Sequence, residues 1–195
     1  MGKWHDFPTT PEEIAETFRE IGVDGVEYEE FFITDYEAEI DGISRRLGEY
    51  TGVDEINYLA SLLDEMTQDE LSAYQAILEA GEYSSNIQNL INLTGNLDSF
   101  GYMPSVNDDY DLGYYWLEES GCYGLEGMGN LSMYIDYERF GADLSINEGG
   151  TFTSRGYVYA QDSVQEFYDG MDVPEEYRVL SMEDGPEMTM TMGGC

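Results

Sequence analysis

Nucleophilic catalysis of the Ser/His or Cys/His kind needs a base beside the nucleophile, and the chain offers a single histidine, His5, near its start. We read His5 as an ordinary surface or half-buried residue. The two cysteines, Cys122 and Cys195, neither fit a zinc pattern nor make a disulfide framework. Cys122 follows Gly121 in an acidic stretch that has no basic residue to activate a thiol. It is expected to be a small packing residue, and Cys195 a thiol in the tail. No glycine-rich phosphate loop is present. The best metal candidate is Asn107-Asp108-Asp109-Tyr110-Asp111-Leu112 with Glu118, which puts oxygens at positions 1, 3, 5 and 12 of a calcium loop. Leu112, however, stands where that loop needs glycine, and the same residues make a good acidic helix start. Carboxylate pairs such as Asp35 and Glu37 are of the type used by glycosidases, but 42 acidic residues supply such pairs by chance. The expectation is a non-enzyme with no catalytic residue, no metal and no cofactor.

What the chain has in excess is negative charge. Its 195 residues carry 42 Asp and Glu against 7 Lys and Arg, a formal charge of -35. Between Arg46 and Arg139 there is no basic residue, and the acids come singly or in pairs, such as Asp54-Glu55, Asp64-Glu65, Asp69-Glu70, Asp108-Asp109 and Glu118-Glu119. A solubilising tail would be one block of like charge. Here 42% hydrophobic and 14% aromatic residues are interleaved with the acids, so the chain has the apolar material to fold. Such a surface is repelled by nucleic acid and anionic membranes and attracted to basic surfaces. At one charge per about 1.7 Å of duplex, the net charge matches roughly 60 Å of DNA, whereas a compact globule of this length is only about 42 Å across. An elongated chain of small units would spread the charge at DNA-like density. The plainer alternative is a surface made acidic for solubility or for high salt.

The elements that must position these charges follow from periodicity and caps. Thr10-Pro11-Glu12-Glu13 is a capping box with proline in the first turn, and Ile14, Phe18 and Ile21 then share one helical face that Gly22 can end. Residues 26–36 are rich in β-formers and predict a strand after an Asp24-Gly25 turn. Three short helices follow: residues 53–66, a helix opened by Thr67-Gln68-Asp69-Glu70 and stopped at Gly81, and residues 85–93. Residues 109–119 predict a further helix ended by Gly121, and residues 121–130 a glycine-rich loop. Thr151-Phe152-Thr153 and Gly156-Tyr157-Val158-Tyr159 predict a closing strand pair. The methionine-rich segment from Ser181 lacks core periodicity and is expected to be mobile. The fold class is α+β, in three small subdomains: residues 1–50, a helix on a small antiparallel sheet; residues 51–103, a short helical bundle; and residues 104–160, a mixed unit. Residues 161–195 form an extension. No basic n-region with an apolar h-region opens the chain and no apolar run approaches a membrane span, so a cytoplasmic protein is expected.

Tyr28-Glu29-Glu30-Phe31-Phe32-Ile33-Thr34-Asp35-Tyr36-Glu37 resembles the Tyr-Glu-Glu-x-x-Ile-x-Asp-Tyr-Glu segment of the ArdA antirestriction family. Residues 108–121, then Tyr134-Ile135-Asp136-Tyr137, Gly141-Ala142-Asp143-Leu144 and the Gly150-Thr151-Phe152 step, resemble that family's C-terminal signature. The similarity covers about residues 4–159. It implies an elongated, three-part homodimer joined through its C-terminal part, which mimics bent B-form DNA. It further implies inhibition of type I restriction–modification enzymes by occupation of the DNA channel of the methyltransferase core, and carriage on a phage, plasmid or transposon. Two departures stand out: a family strand expected upstream of Gly2-Lys3-Trp4 is missing, and residues from Gln161 onward have no family counterpart.

The mechanism expected from charge and resemblance together is that carboxylates stand in for phosphates and meet Lys and Arg of a DNA channel. The candidates are Glu27, Glu29, Glu30, Asp35 and Glu37 in the first part, and Asp54, Glu55, Asp64, Glu65, Asp69 and Glu70 in the middle. Toward the C-terminus they are Asp108, Asp109, Asp111, Glu118, Glu119, Asp136, Glu138 and Asp143. Because the field is shared, each is expected to contribute little alone. Alternatives are a mimic aimed at another DNA-binding target, such as a CRISPR effector or a nucleoid protein, or a calcium-binding acidic protein. Neither nucleic acid nor membrane is an expected partner.

Overall fold

The structure is a computed structural model, and it describes residues 2–23, 31, 33–48, 50–123 and 129–180, with the side chains of 131 and 132 left aside. Helix α1 (Pro11–Ile21) starts as its sequence requires. The Thr10 hydroxyl accepts from the Glu13 amide, the Glu13 carboxylate accepts from the Thr10 amide, and Gly22 closes the helix at φ 89°. Glycine is needed there because a Cβ penalises the left-handed region. Helix α2 (Val53–Asp64) lacks a side-chain cap, since Gly52 precedes it, but Glu55 Oε2 accepts from the Gly52 amide. Helix α3 (Gln68–Ala80) has the full Thr67/Glu70 box, and α4 (Ile87–Thr94) is capped by Asn86.

Strand β1 (Phe100–Met103) follows α4. Helix α5 (Asp109–Tyr114) continues into one π-helical stretch, Tyr115–Glu119, closed by a 2.8 Å bond from the Ser120 amide to the Tyr115 carbonyl five residues back. A 3₁₀ stretch, Gly129–Tyr134, leads to α6 (Tyr137–Glu148), capped by Asp136. Strands β2 (Thr151–Thr153) and β3 (Gly156–Ala160) form a hairpin. β3 lies in the centre of a three-stranded antiparallel sheet, with Phe100 opposite Ala160 on one side and Thr151 opposite Val158 on the other.

The fold class is α+β, as expected, but the sheet is not where the sequence put it. The expected strand at 26–36 lies partly outside the described residues, and its described part, Phe31 and residues 33–36, carries no strand. The reason is that its apolar side chains are satisfied without a ladder. Phe31 packs on Phe18 at a 4.7 Å centroid distance, and Ile33 and Tyr36 pack against the helices. The sheet is instead made of β1, β2 and β3. The caps, α1 to α5 and the β2–β3 hairpin agree with expectation; β1 and α6 were not anticipated.

Apolar burial falls into three groups. Ile14, Val53 and Val179 form the first, with Phe7, Phe18 and Leu180 around them. The largest joins α2, α3, α4 and one face of the sheet through Tyr74, Ile77, Leu78, Leu90, Ile91 and Leu93, all nearly inaccessible. The third sets Leu112 and Val106 against Tyr157. Helices α5 and α6 touch backbone to backbone: a Cβ on Gly113 would stand 1.9 Å from the Tyr137 carbonyl oxygen, and one on Gly141 1.7 Å from that of Asp109. Only glycine at both positions permits this crossing.

Residues 161–180 are the largest surprise. They run back over α4 and α2 and end beside α1, with Tyr168, Val173 and Val179 buried.

Candidate docking surface

The carboxylates occupy element ends and outer faces because acidic residues favour helix N-termini and apolar residues fill the inner stripes. Asp64, Glu65, Asp69 and Glu70 are all exposed and bracket the α2–α3 corner. Glu70 also accepts from the hydroxyl and amide of Thr67 (2.7 and 2.8 Å), which hold it below the ordinary glutamate range. On the α5–α6 pair, Asp108, Glu118, Glu119, Asp136, Glu138 and Asp143 are exposed. Asp108 and Asp136 also cap their helices, and Glu118 accepts a 2.5 Å bond from the Tyr137 hydroxyl, which pushes that phenol up to about 12. Asp35 and Glu37 are exposed on the segment before α2. Glu27, Glu29 and Glu30 lie outside the described residues.

Four candidates face inward. Asp109 is half-buried and accepts from the Ser145 hydroxyl at 3.1 Å; Asp111 is half-buried and accepts from the amide and side chain of Asn107. Asp54 Oδ1 accepts from the amides of Val179 (2.7 Å) and Leu180 (2.9 Å), and Glu55 Oε1 accepts from the Tyr168 hydroxyl (2.9 Å). These two side chains hold the 161–180 segment rather than facing solvent.

Few carboxylates are neutralised. Among the described residues there are two ion pairs, Lys3–Glu20 and Arg178–Asp172. Arg46 points its guanidinium at the backbone, donating to the carbonyls of Ser84 (2.6 Å), Gly42 (2.7 Å) and Leu78 (3.2 Å). The charge of the outer faces is therefore left standing.

The segment 161–180 adds carboxylates to which the sequence reading gave no role: Asp162, Glu166, Asp169, Asp172, Glu175 and Glu176, all exposed. Glu79 was also missed; it accepts from the amide and hydroxyl of Ser154, both at 2.7 Å, and ties α3 to the β2–β3 turn. Its signal is only its place on the outer face of α3, which does not identify a partner 75 residues away.

His5 is half-buried between the hydroxyls of Thr17 and Thr9 at 2.8 and 2.7 Å. Cys122, expected to pack, is exposed; it lies beyond the end of the π stretch, where the chain has left the α5 core. Among the described residues no three His, Cys, Asp or Glu side chains converge as metal ligands. The calcium-loop candidate departs from a chelating loop because Asp109 begins a helix, where side chains two apart point in opposite directions. No described helix is long and apolar enough to cross a membrane.

The α5–α6 pair and the 3₁₀ stretch before α6 also expose apolar side chains. Tyr110, Tyr114 and Tyr137 meet ring to ring at 5.6–6.3 Å, and Met133, Tyr134 and Ile146 are each more than three-quarters exposed.

A search of curated proteins finds no match. The family model described as Antirestriction protein (ArdA) matches residues 1–159, which include every candidate carboxylate and all six helices but leave out residue 160, the end of β3, and the segment that follows it. The chain belongs to the ArdA family of antirestriction proteins.

Proposed function

We propose that this protein inhibits type I restriction–modification enzymes by occupying their DNA channel, its outer carboxylates taking the place of phosphates. The observation that carries the reading is the unneutralised charge: 42 acids against 7 basic residues, with two ion pairs among the described residues and Arg46 directed to backbone carbonyls. A channel built for DNA presents Lys and Arg to phosphates regardless of sequence. A dense polyanion docking there releases condensed counterions, which makes binding strong and salt-sensitive. Base edges are not imitated, so enzymes of different sequence specificity should be inhibited alike.

The docking surface we propose consists of the α2–α3 corner, the acids of the α5–α6 pair, and Asp35 and Glu37, with Glu27, Glu29 and Glu30 beside them in sequence. Asp54 and Glu55 are assigned to internal bonds instead. The exposed tyrosine and aliphatic side chains of α5–α6 support a homodimer joined through this part of the chain, which doubles the length of the charged surface. A role against restriction enzymes places the protein in the cytoplasm, carried by a phage or other mobile element.

The test is duplex cleavage by a purified type I restriction enzyme, with the protein titrated at two salt concentrations. Inhibition near one protein dimer per enzyme, weaker at higher salt and competed by nonspecific duplex, supports the reading. Cleavage that is unaffected at any ratio removes this class of target.

A further inference from the structure

The segment 161–180, outside the family match, is bonded to the rest of the chain over residues 161–169 and again over 177–180. It leaves β3 with the amides of Gln161 and Asp162 both donating to the Ser99 carbonyl at 2.9 and 3.0 Å. It then runs antiparallel to α4 over a stripe of side-chain amides four residues apart. Asn96 exchanges two bonds with the backbone of Gln165 (2.8 and 2.9 Å). Asn92 accepts from the amides of Phe167 and Tyr168 (2.9 Å each) and donates to the Tyr168 carbonyl (2.8 Å). Gln88 donates to the Asp169 carbonyl (2.7 Å). Asn92 and Asn96 are buried, so these amides take the place of a neighbouring strand for a segment that has none.

The far end is fixed as firmly. Asn57, buried in α2, donates to the Tyr177 carbonyl (2.9 Å) while its oxygen accepts from the Thr9 amide (2.7 Å). One side chain thus holds the extension and the entry to α1 together. Asp54 anchors the last turn through the amides of Val179 and Leu180, and Val179 packs with Ile14 of α1 and Val53 of α2.

We propose that residues 161–180 are a built-in brace that clamps α1 to the α2–α4 helices and so fixes the spacing between carboxylates of the N-terminal and middle parts. The functional half of this proposal rests on the docking reading above. A surface that must match a rigid basic channel loses less entropy on binding when its charges are already spaced. The brace supplies that order in a chain whose own charge pushes its parts outward. Asp54 is then a positioning residue that acts through its acceptor oxygen.

The experiment compares the full chain, a truncation after Ala160, and the pair Asp54→Ala and Asp54→Asn by amide hydrogen exchange and by inhibition of a purified type I restriction enzyme. The truncation is expected to speed exchange in α1 at least about tenfold while α3 stays protected, because α1 then opens without unfolding the main core, and to weaken inhibition by a similar factor. Asp54→Ala should move both readouts in the same direction, and Asp54→Asn, which keeps the acceptor, should restore most of each. Unchanged α1 exchange in the truncation and in Asp54→Ala overturns the brace. An equal loss in Asp54→Asn and Asp54→Ala overturns the anchoring role, since it assigns the effect to charge. Faster α1 exchange with undiminished inhibition overturns the link to docking. Should the truncation not fold, the Asp54 pair carries the test. Should the unaltered chain not inhibit, the proposed function fails while exchange still decides the brace.

Discussion

Replacing Gly113 by alanine tests whether α5 and α6 are held together by backbone contact. In an ordinary helix interior this change stabilises by about 1 kcal/mol, because alanine loses less chain entropy. Here the new Cβ would lie 1.9 Å from the Tyr137 carbonyl oxygen and 2.8 Å from its carbon, distances at which real Cβ atoms do not occur. Both groups are backbone, so no side-chain rotation relieves the contact, and α6 must retreat by about 1 Å. Overpacking that forces backbone shifts costs about 1–3 kcal/mol, and a gap of that width forfeits roughly a quarter to a half of the dispersion energy between the facing side chains. Set against the helix-propensity gain, we expect a net loss of about 2 kcal/mol, which for a chain of this size lowers Tm by roughly 4–8 °C. Thermal unfolding followed by circular dichroism gives the value, with Gln68→Ala in the exposed first turn of α3 as the control that should stay within about 0.5 kcal/mol. Adding Gly141→Ala should cost less than it does alone, because the helices are already parted. A Gly113→Ala protein as stable as the parent, or more so, would refute the close crossing and the arrangement of the α5–α6 carboxylates that depends on it.

Three further outcomes are expected. Changing Asp64, Glu65, Asp69 or Glu70 singly to the amide should weaken inhibition by no more than about fivefold, since exposed charge contacts are worth about 0.2–1 kcal/mol each; the four together should weaken it at least about tenfold by the same reckoning, and one single change that abolished inhibition would contradict a distributed surface. Asn92→Ala leaves two amides and a carbonyl of the 167–168 backbone unpaired, and should destabilise by about 3 kcal/mol in chemical denaturation. Glu79 is held below its ordinary value of 4.5 by the Ser154 amide and then its hydroxyl. A lowered folded value means that its stabilisation is present above pH 4.5 and is lost as pH falls through that lower value. The difference in Tm between parent and Glu79→Gln should therefore shrink on acidification, and a difference that grew would reverse the assignment.

Local chemistry made much of this fold readable. Thr10, Thr67 and Asp108 sit at helix starts with acceptors within reach of free amides, and that information is contained in three or four consecutive residues. Helices α2, α3 and α4 follow from apolar spacing because each packs one stripe into a shared core. What escaped was non-local. Strand β1 is four residues whose strand character comes from β3, which pairs with it from more than fifty positions away. Helix α6 carries Gly141 where its packing face should be apolar, since its partner there is backbone. Exposed carboxylates such as Asp64 and Glu65 were identified from composition and spacing, but the same reasoning could not separate them from Asp54 and Glu55, whose partners lie in 168–180. A signal for that segment was nevertheless present: Gln88, Asn92 and Asn96 place three amides four apart in and just beyond α4. Such a row is costly to bury without a backbone to bond.

The direction of the Arg46 guanidinium has a consequence for how this chain must live in solution. A cation that satisfies three carbonyls holds local structure together and leaves the surplus of anions to be balanced by mobile counterions. Ionic strength then works on the molecule twice and in opposite senses. Added ions quiet the mutual repulsion of the carboxylates and favour the folded chain, while they weaken the attraction of that chain for a basic partner. On the proposed docking, cohesion of the folded chain sets the lower bound of the useful ionic strength and binding to the target sets the upper.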